Sequence, residues 1–377
     1  MSTPHKPSPS CPSALSSADL QLHYLTEGAA NIIYSVSVLS PAKLQDHSHC
    51  CILRLRKDLP STKPAVEVLR DFESRIYPLF AGHGYGDFLM KQALYQLTPE
   101  MVHDANVELS EMETETETET ETQLEADNSS DDHDNVTSAA EHRAKATVRV
   151  RHPHRRHVYL PSYETEKYGI LMQNLKGPGI DQLVEFKPKW LVQSPSAPSD
   201  ARNCRTCALN AMRRAAGHHQ GRGDSGFCPL DLLAGPDEEE VLGRALTKIY
   251  QPSVERGMQA FISSFRQRVQ PALRHLLTLQ EKHGSVGLDD FRDPAGKDLD
   301  LAMALRDCSV FLALKVSSKE SAPERVELVD VKFADLDLKT PEGGKMQKWA
   351  SMEQELLDGG WYHNNSEGMN CSLSRPS

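Results

Sequence analysis

The chain predicts an α+β fold in two lobes, a β-rich N-terminal lobe and a larger, helix-rich C-terminal lobe, with a ligand cleft between them. Three observations predict it. Short alternating runs rich in β-branched residues cluster before Glu108. Apolar residues at helical spacing dominate after Trp190. A low-complexity acidic stretch interrupts the first part, with strand signals on both sides of it.

In chain order, residues 1–17 are rich in Ser and Pro and read as a disordered tail. The first lobe spans residues 18–173. Leu22-His-Tyr-Leu25 alternates as a strand, Thr26-Glu-Gly-Ala-Ala-Asn31 forms a tight turn of small residues, and Ile32 to Leu39 is strand-like. A polar loop from Pro41 to His49 leads into Cys51-Ile-Leu-Arg-Leu-Arg56, which alternates as a half-buried strand should. Val66, Val68, Leu69, Phe72 and Ile76 recur at helical spacing, so a helix is expected over Ala65 to Ile76. Residues 108–142 read as a disordered insertion: its Glu-Thr run places like charges at every second position and offers nothing apolar to bury. Ala144 to Val150, Tyr168 to Gln173 and Val184 to Trp190 read as strands. In the second lobe, residues 174–377, helices are expected over Cys204 to Ala216, Glu238 to Tyr250, Met258 to Gln280 and Met346 to Asp358, with a strand over Val326 to Phe333.

The charge balance narrows the function. The net charge is -11, with 53 Asp/Glu against 42 Lys/Arg. Thirteen of the acids lie between Glu108 and Glu141, a stretch without Lys or Arg, which leaves 40 acidic and 42 basic residues elsewhere. Any anion site must therefore come from local basic clusters. No long basic stripe with interleaved aromatics is present, so direct nucleic-acid binding is not expected. No apolar run approaches the roughly 18 residues of a membrane span. The 8 Cys show no regular disulfide framework, and a reduced, soluble, intracellular monomer is expected.

Several segments carry chemistry, each beside a plainer alternative. The small residues of Glu27-Gly-Ala-Ala-Asn31 let backbone N–H groups approach a phosphate chain, or simply turn a hairpin. Arg54, Arg56 and Lys57 on the following strand suit phosphate pairing or a solvated face. Lys187 and Lys189 fall on one face of an extended segment, where two ammonium groups repel unless an anion or carboxylate lies between them; a lysine-protected edge strand is the alternative. Cys204-Arg-Thr-Cys207 has the spacing of half a zinc site, and Cys228 with His218 or His219 could complete it, but the second half is not a clean pair. A helix bearing Arg205 and Arg213 two turns apart on one face, able to chelate phosphate, is the better reading. Asp307 stands at the mouth of an apolar run and Asp335 directly after a strand. Carboxylates at the ends of two neighbouring strands suit Mg²⁺ and an attacking hydroxyl, or are ordinary turn aspartates. Lys339, Lys345 and Lys348, with Trp349, open a helix whose N-terminus favours anions, or form a solvated lysine loop.

Taken in order, Glu27-Gly-Ala-Ala-Asn31, Ile52-Leu-Arg-Leu-Arg-Lys57, Glu185-Phe-Lys-Pro-Lys-Trp190, Cys204-Arg-Thr-Cys207, Pro229-Leu-Asp-Leu232, Arg306-Asp-Cys-Ser309 and Asp335-Leu-Asp-Leu-Lys339 resemble the inositol-pentakisphosphate 2-kinase family, most closely its fungal members. The resemblance runs from Glu27 to Trp361. It implies a kinase-like fold, ATP and Mg²⁺ as cofactors, an inositol polyphosphate as partner, and residence in the nucleus or cytoplasm. By that resemblance Gly28, Ala30 and Asn31 cover the ATP phosphates, Arg54 stands near the nucleotide, and Met172 and Gln173 lie beside adenine. Lys187 bridges the transferred phosphate; Lys189, Arg205, Arg213, Lys339, Lys345 and Trp349 grip the substrate. Asp307 orients or deprotonates the 2-hydroxyl, and Asp335, with Asp307, holds the metal. The chain departs from the family at Trp349, where tyrosine is common, and around Pro252, where an Asn-rich segment is missing. Two other functions fit the residues: a kinase for a less phosphorylated inositol, or a non-catalytic inositol-phosphate scaffold that keeps the cations and does not need Asp307 and Asp335.

Overall fold

The computed structural model describes residues 11–127, 151–217, 226–252, 255–294, 296–319, 322–339, 344–363 and 371–375. The first half runs through α1 (Cys11–Leu15), β1 (Asp19–Glu27), β2 (Asn31–Ser40), β3 (Cys51–Arg56), α2 (Ala65–Asp71), α3 (Tyr77–Ala81), β4 (Gln92–Gln96), α4 (Pro99–Asp127) and β5 (Tyr168–Gln173). The second half comprises β6 (Gln182–Phe186), α5 (Arg205–Ala215), α6 (Glu239–Thr247), α7 (Glu255–Arg268), α8 (Gln270–His283), α9 (Leu288–Arg292) and α10 (Leu299–Asp307). It ends with β7 (Ser309–Lys319), β8 (Ala322–Ala334) and α11 (Lys345–Asp358). The fold is α+β, in two compact units: Met1–Ala65 with Ala93–Leu171, and Val66–Gln92 with Met172–Ser377.

The first unit is organised by a sheet in the order β1-β2-β3-β5-β4. β2 shows why it forms: Ile32, Tyr34, Val36 and Val38 are buried at every second position, as a strand with one core face requires. It pairs antiparallel with β1 (Gln21↔Ser37) and β3 (Tyr34↔Leu53). Gly169 of β5 permits a close approach, since a Cβ there would lie 2.5 Å from Leu55 Cδ2.

The acidic stretch departs from expectation. A disordered insertion is expected from Glu108 onward, yet α4 runs to Asp127. Val102, Ala105, Leu109 and Met112 repeat at helical spacing and are buried in the core with Tyr24, Tyr34 and Leu53. That stripe supplies the packing that starts the helix, and Glu is a good helix former once it has begun. The strand expected over Ala144 to Val150 lies outside the described residues, as do the first ten residues; α1 replaces the end of the expected tail. Cys50 is disulfide-bonded, so the expectation of fully reduced cysteines does not hold there.

The second unit is built on the antiparallel sheet β6-β7-β8, with Val184↔Leu312 and Ser309↔Ala334 in register. Val310, Leu312, Leu314, Val331 and Phe333 bury its strands, and Phe261, Phe265, Leu273 and Leu276 of α7 and α8 are buried as well. One helix is expected over Met258 to Gln280, but two form, because Pro271 lacks the N–H that a continuous helix needs and sits instead in the first turn of α8. The expected strand to Trp190 stops at Phe186; Pro188 follows, and Lys189 takes a left-handed backbone conformation (φ 56°). The expected helix over Ala65 to Ile76 forms as α2 followed by a single π turn, Phe72–Ile76. No helix among the described residues is long and apolar enough to cross a membrane.

Candidate active site

Antiparallel register sets the geometry of the two aspartates. Asp307 ends α10, two residues before β7, and Asp335 follows β8 directly. Because Ser309 pairs with Ala334, both acids emerge at the same end of the hairpin. Sequence reading places Asp307 at the mouth of a strand; the structure makes it the last residue of a helix, with the same outcome.

Three lysines converge on these two carboxylates. Lys187 Nζ donates to Asp335 Oδ2 at 2.6 Å and to the Asp307 carbonyl at 2.5 Å. It lies 3.7 Å from Asp307 Oδ1. Lys189 Nζ donates to Asp307 Oδ1 at 3.0 Å, and Lys339 Nζ to Asp335 Oδ1 at 3.1 Å. The carboxylate required between Lys187 and Lys189 is thus Asp307, although the extended geometry assumed for Lys189 is not what brings them together. Partial desolvation works to raise the Asp335 carboxyl, but Lys339 and Lys187 outweigh it and hold the acid below the usual carboxylate range. Desolvation likewise opposes the Lys187 ammonium, and Asp335 and Asp307 outweigh it, so its pKa is raised. Asp335, like Lys189, has a left-handed backbone (φ 55°), a conformation that residues with a Cβ adopt reluctantly and that recurs at functional sites.

Of these groups, Lys189, Lys339 and Asp307 border a cavity of about 470 Å³ within the second unit. Its walls carry the cations Lys189, Arg205, Arg213, Arg306, Lys339, Lys345 and Lys348, and one carboxylate, Asp307. Trp190, Trp349, Met303 and Met352 add apolar surface. One face of α5 forms a wall: Arg205, Thr206, Leu209, Asn210 and Arg213 all line it, spaced as a helix face requires. Arg205 is buried, pairs with Glu353 at 3.1 Å and lies 4.4 Å from the centre of the Trp190 ring. Trp349 packs against Phe291 with ring centres 5.9 Å apart. Every residue expected to grip the substrate, Lys189, Arg205, Arg213, Lys339, Lys345 and Trp349, is on this surface.

Among the lining residues that sequence reading misses are Arg306 and Asn210. Arg306 is buried, 3.4 Å from the Trp190 ring centre, donating to the Val286 carbonyl at 3.2 Å and to that of Gly284. Burial, reinforced by Arg205, pushes its guanidinium down to about 9. Asn210 is 1% exposed, and neither polar atom of its amide has a hydrogen-bond partner among the described residues. The helical face shared by Arg205 and Arg213 is the signal that finds it. Lys348, the third member of the expected lysine cluster, lines the cavity with Lys339 and Lys345.

The residues expected to hold nucleotide are placed as follows. In the turn between β1 and β2, the Gly28 N–H donates to the Asn31 carbonyl at 2.8 Å, and the Ala30 carbonyl accepts from the Lys57 N–H at 2.9 Å. Glu27 below it is locked in a buried ion cluster, 2.5 Å from Lys57 Nζ and paired with both Nε and Nη2 of Arg151 at 3.0 Å. Arg151 also pairs with Glu113, and Arg155 donates to the Glu27 carbonyl. The run Arg151-His-Pro-His-Arg-Arg156 therefore begins with a fully buried structural arginine. Arg54 is nearly buried on β3, paired across from Ile33. Met172 is buried at the end of β5, and the neighbouring Gln173 holds a buried Oε1 that has no hydrogen-bond partner among the described residues.

Four cysteines also come together. Cys204, Cys207, Cys228 and Cys371 are all buried, with sulfurs within 4.8 Å of one another. In the sequence, Cys204-Arg-Thr-Cys207 has no clean second pair beside it. Cys228 and Cys371 stand beside these two in the fold, and His218 and His219 lie outside the described residues.

Comparison with known proteins gives this arrangement a family. The model for inositol-pentakisphosphate 2-kinases matches residues 24–355. The chain belongs to the inositol-pentakisphosphate 2-kinase family. A curated relative, the inositol-pentakisphosphate 2-kinase of Yarrowia lipolytica, is 32% identical over 191 residues, which is 50% of this chain and 56% of the relative. The match thus spans about half the length of that protein. The family match contains all the candidate residues from Gly28 to Trp349, while Cys371 lies beyond it.

Proposed function

We propose that the chain is an ATP-dependent kinase that phosphorylates the free 2-hydroxyl of inositol 1,3,4,5,6-pentakisphosphate, giving the hexakisphosphate. The cavity carries this reading: seven cations and a single carboxylate surround a space of about 470 Å³. A ring phosphorylated at five positions needs cations from several directions, and here they come from the β6–α5 region, α10, the segment after β8, and α11. Clamping five phosphates in one orientation would direct the remaining hydroxyl toward the lone carboxylate. Family membership and the name of the relative point the same way.

In this reading Asp307 orients the 2-hydroxyl and accepts its proton as the oxygen bonds to the γ-phosphorus and the bond to ADP breaks. Lys187 and Lys189 neutralise the phosphate in transit, and Lys339, Lys345, Arg205, Arg213 and Trp349 hold the inositol phosphates. The carboxylates of Asp307 and Asp335 converge on one cationic nitrogen, that of Lys187, and are hard oxygen donors of the kind Mg²⁺ takes. They would hold that ion, which when bound supplies charge neutralisation at the ATP phosphates. The turn of Gly28, Ala30 and Asn31 would cover phosphates, with Arg54 nearby. The unpartnered Gln173 acceptor, beside Met172, suits the amino group of adenine. Residence in the nucleus or cytoplasm belongs to the same reading; six cysteines are free, while Cys50 is disulfide-bonded.

The test is a product assay with ATP, Mg²⁺ and the pentakisphosphate, resolved by anion exchange. Hexakisphosphate should form. Binding without product would favour the scaffold reading, and phosphorylation of poorer inositol phosphates in preference would favour the alternative kinase.

A further inference from the structure

We propose that Glu353, a buried residue outside the cavity lining, is a positioning residue: its carboxylate holds Arg205 by Nε and so presents the other two guanidinium nitrogens to a ligand in the cavity. This role rests on the reading of the cavity as the inositol-phosphate grip.

Glu353 is fully buried on α11, on the helical stripe that carries Lys345, Lys348, Trp349 and Met352 to the cavity. Its Oε2 accepts from Arg205 Nε at 3.1 Å. Its Oε1 accepts from Ser194 Oγ and from the Tyr362 hydroxyl, both at 2.6 Å. A buried carboxylate is tolerated when it is paired and hydrogen-bonded, and here both oxygens are engaged. Of the three guanidinium nitrogens of Arg205, only Nε has a hydrogen-bond partner among the described residues. Nη1 and Nη2 are left as a planar fork, the geometry that takes two oxygens of one phosphate.

The neighbours explain why a carboxylate is needed. The guanidiniums of Arg205 and Arg306 lie 4.4 and 3.4 Å from the centre of the same Trp190 ring, and both residues are buried. Arg306 is held by backbone carbonyls and pairs with no carboxylate among the described residues. Burial and then Arg205 push the Arg306 guanidinium down, and Glu353 leads the groups that oppose them. Without Glu353, Arg205 would be a buried cation repelled by Arg306 and released from its rotamer, and a ligand would have to order it again. The pair also sets the spacing of two cavity walls. Arg205 and Arg213 stand on α5, Lys345 and Lys348 on α11, and Leu209 and Leu356 of these helices pack in one cluster with Tyr362.

Glu353→Gln removes the charge and keeps the shape. It should raise the Kd for inositol hexakisphosphate by calorimetry, and KM for the pentakisphosphate, about tenfold. KM for ATP should stay as it is, and kcat should move by less than about twofold, as loss of uniform binding predicts. Arg205→Ala should weaken hexakisphosphate binding at least as much, and adding Glu353→Gln to it should weaken binding no further, because the two side chains act as one. Tyr362→Phe takes a different bond from the same carboxylate, so it should lower the unfolding midpoint and leave hexakisphosphate affinity unchanged. If Glu353→Gln does not fold, Glu353→Asp carries the test: it keeps the charge, withdraws the oxygens from Arg205, and should also weaken hexakisphosphate binding. Unchanged or tighter binding in the Glu353 variants, additive losses in the double variant, or an equal loss in Tyr362→Phe would overturn the positioning role and leave Arg205 in the grip. Undiminished affinity in Arg205→Ala would instead overturn the reading of the cavity, and the role of Glu353 with it.

Discussion

Charge is concentrated in two places, and the two are built to opposite ends. At the base of the β1–β2 turn, Glu27 and Glu113 meet Lys57 and Arg151, two anions against two cations, all with side chains almost fully buried. Each nitrogen of Arg151 has an acceptor, including the carbonyls of Arg155 and Val158. Around the cavity of the second unit, seven cations share the lining with one carboxylate, and Lys187, Lys189, Lys339, Asp307 and Asp335 are a fifth to a half exposed. Residue types are the same in both. What differs is stoichiometry and access: a balanced, sealed cluster holds a fold, while an open surplus of one sign awaits a ligand of the other.

The largest expected effect is at Asp307. Asp307→Asn should lower kcat by roughly 10³-fold while calorimetry shows hexakisphosphate binding retained. Undiminished turnover would mean that the one acid among the cations has no chemical task. Glu27→Gln probes the sealed side, leaving Lys57 and Arg151 without their carboxylate. Urea unfolding should show a loss of about 3–5 kcal/mol. A loss near zero would show that the cluster is not closed as described. The joint change Lys339→Ala, Lys345→Ala should raise KM for the pentakisphosphate about 10- to 100-fold, with stability nearly unchanged because these side chains are partly exposed. An unaltered KM would favour a less phosphorylated substrate. Added salt should widen the contrast, weakening ligand binding at the screened, open site more than it shifts the unfolding midpoint.

The smallest effect is an acid limb. Burial alone would raise the Glu27 carboxyl, but Arg151 and Lys57 reverse this and hold its folded pKa below the ordinary value. Its stabilising contribution is therefore complete above the unfolded glutamate pKa, about 4.3, and is lost as pH falls through the folded value. Stability of the parent protein should drop over that window. Glu27→Gln should show a flatter limb, and identical slopes would argue against the linkage.

The open site was far more legible in the sequence than the sealed one. Lys187 and Lys189 announced a missing anion, and Arg205 and Arg213 declared a helix face two turns long. The lysines after Asp335 stood out because the rest of the chain is near neutral. Each signal is local, within a dozen residues. Glu27, Glu113 and Arg151 gave no such sign: Arg151 is 124 residues from Glu27, and Glu113 is inside a run that looks merely repetitive. Cys371 is 167 residues from Cys204, so the four-sulfur cluster could not be assembled by spacing. α4 was lost for a different reason. Its apolar stripe ends where the Glu-Thr alternation begins, and composition outweighed periodicity in the reading. Tertiary pairing leaves no trace in a window, whereas repetition on one helix or strand does.

The β7–β8 hairpin acts as a ruler for the two aspartates. With Ser309 opposite Ala334, sliding one strand by a single residue would displace one acid by about 3.4 Å and turn its strand's side chains to the other face. A deletion inside either strand would thus put the pair out of phase, however conservative the remaining residues. Length changes beyond the Lys319↔Ala322 pair, at the far end of the hairpin, leave that phase untouched. A reporter peptide grafted there would travel with the hairpin and leave the separation of Asp307 and Asp335 as it is.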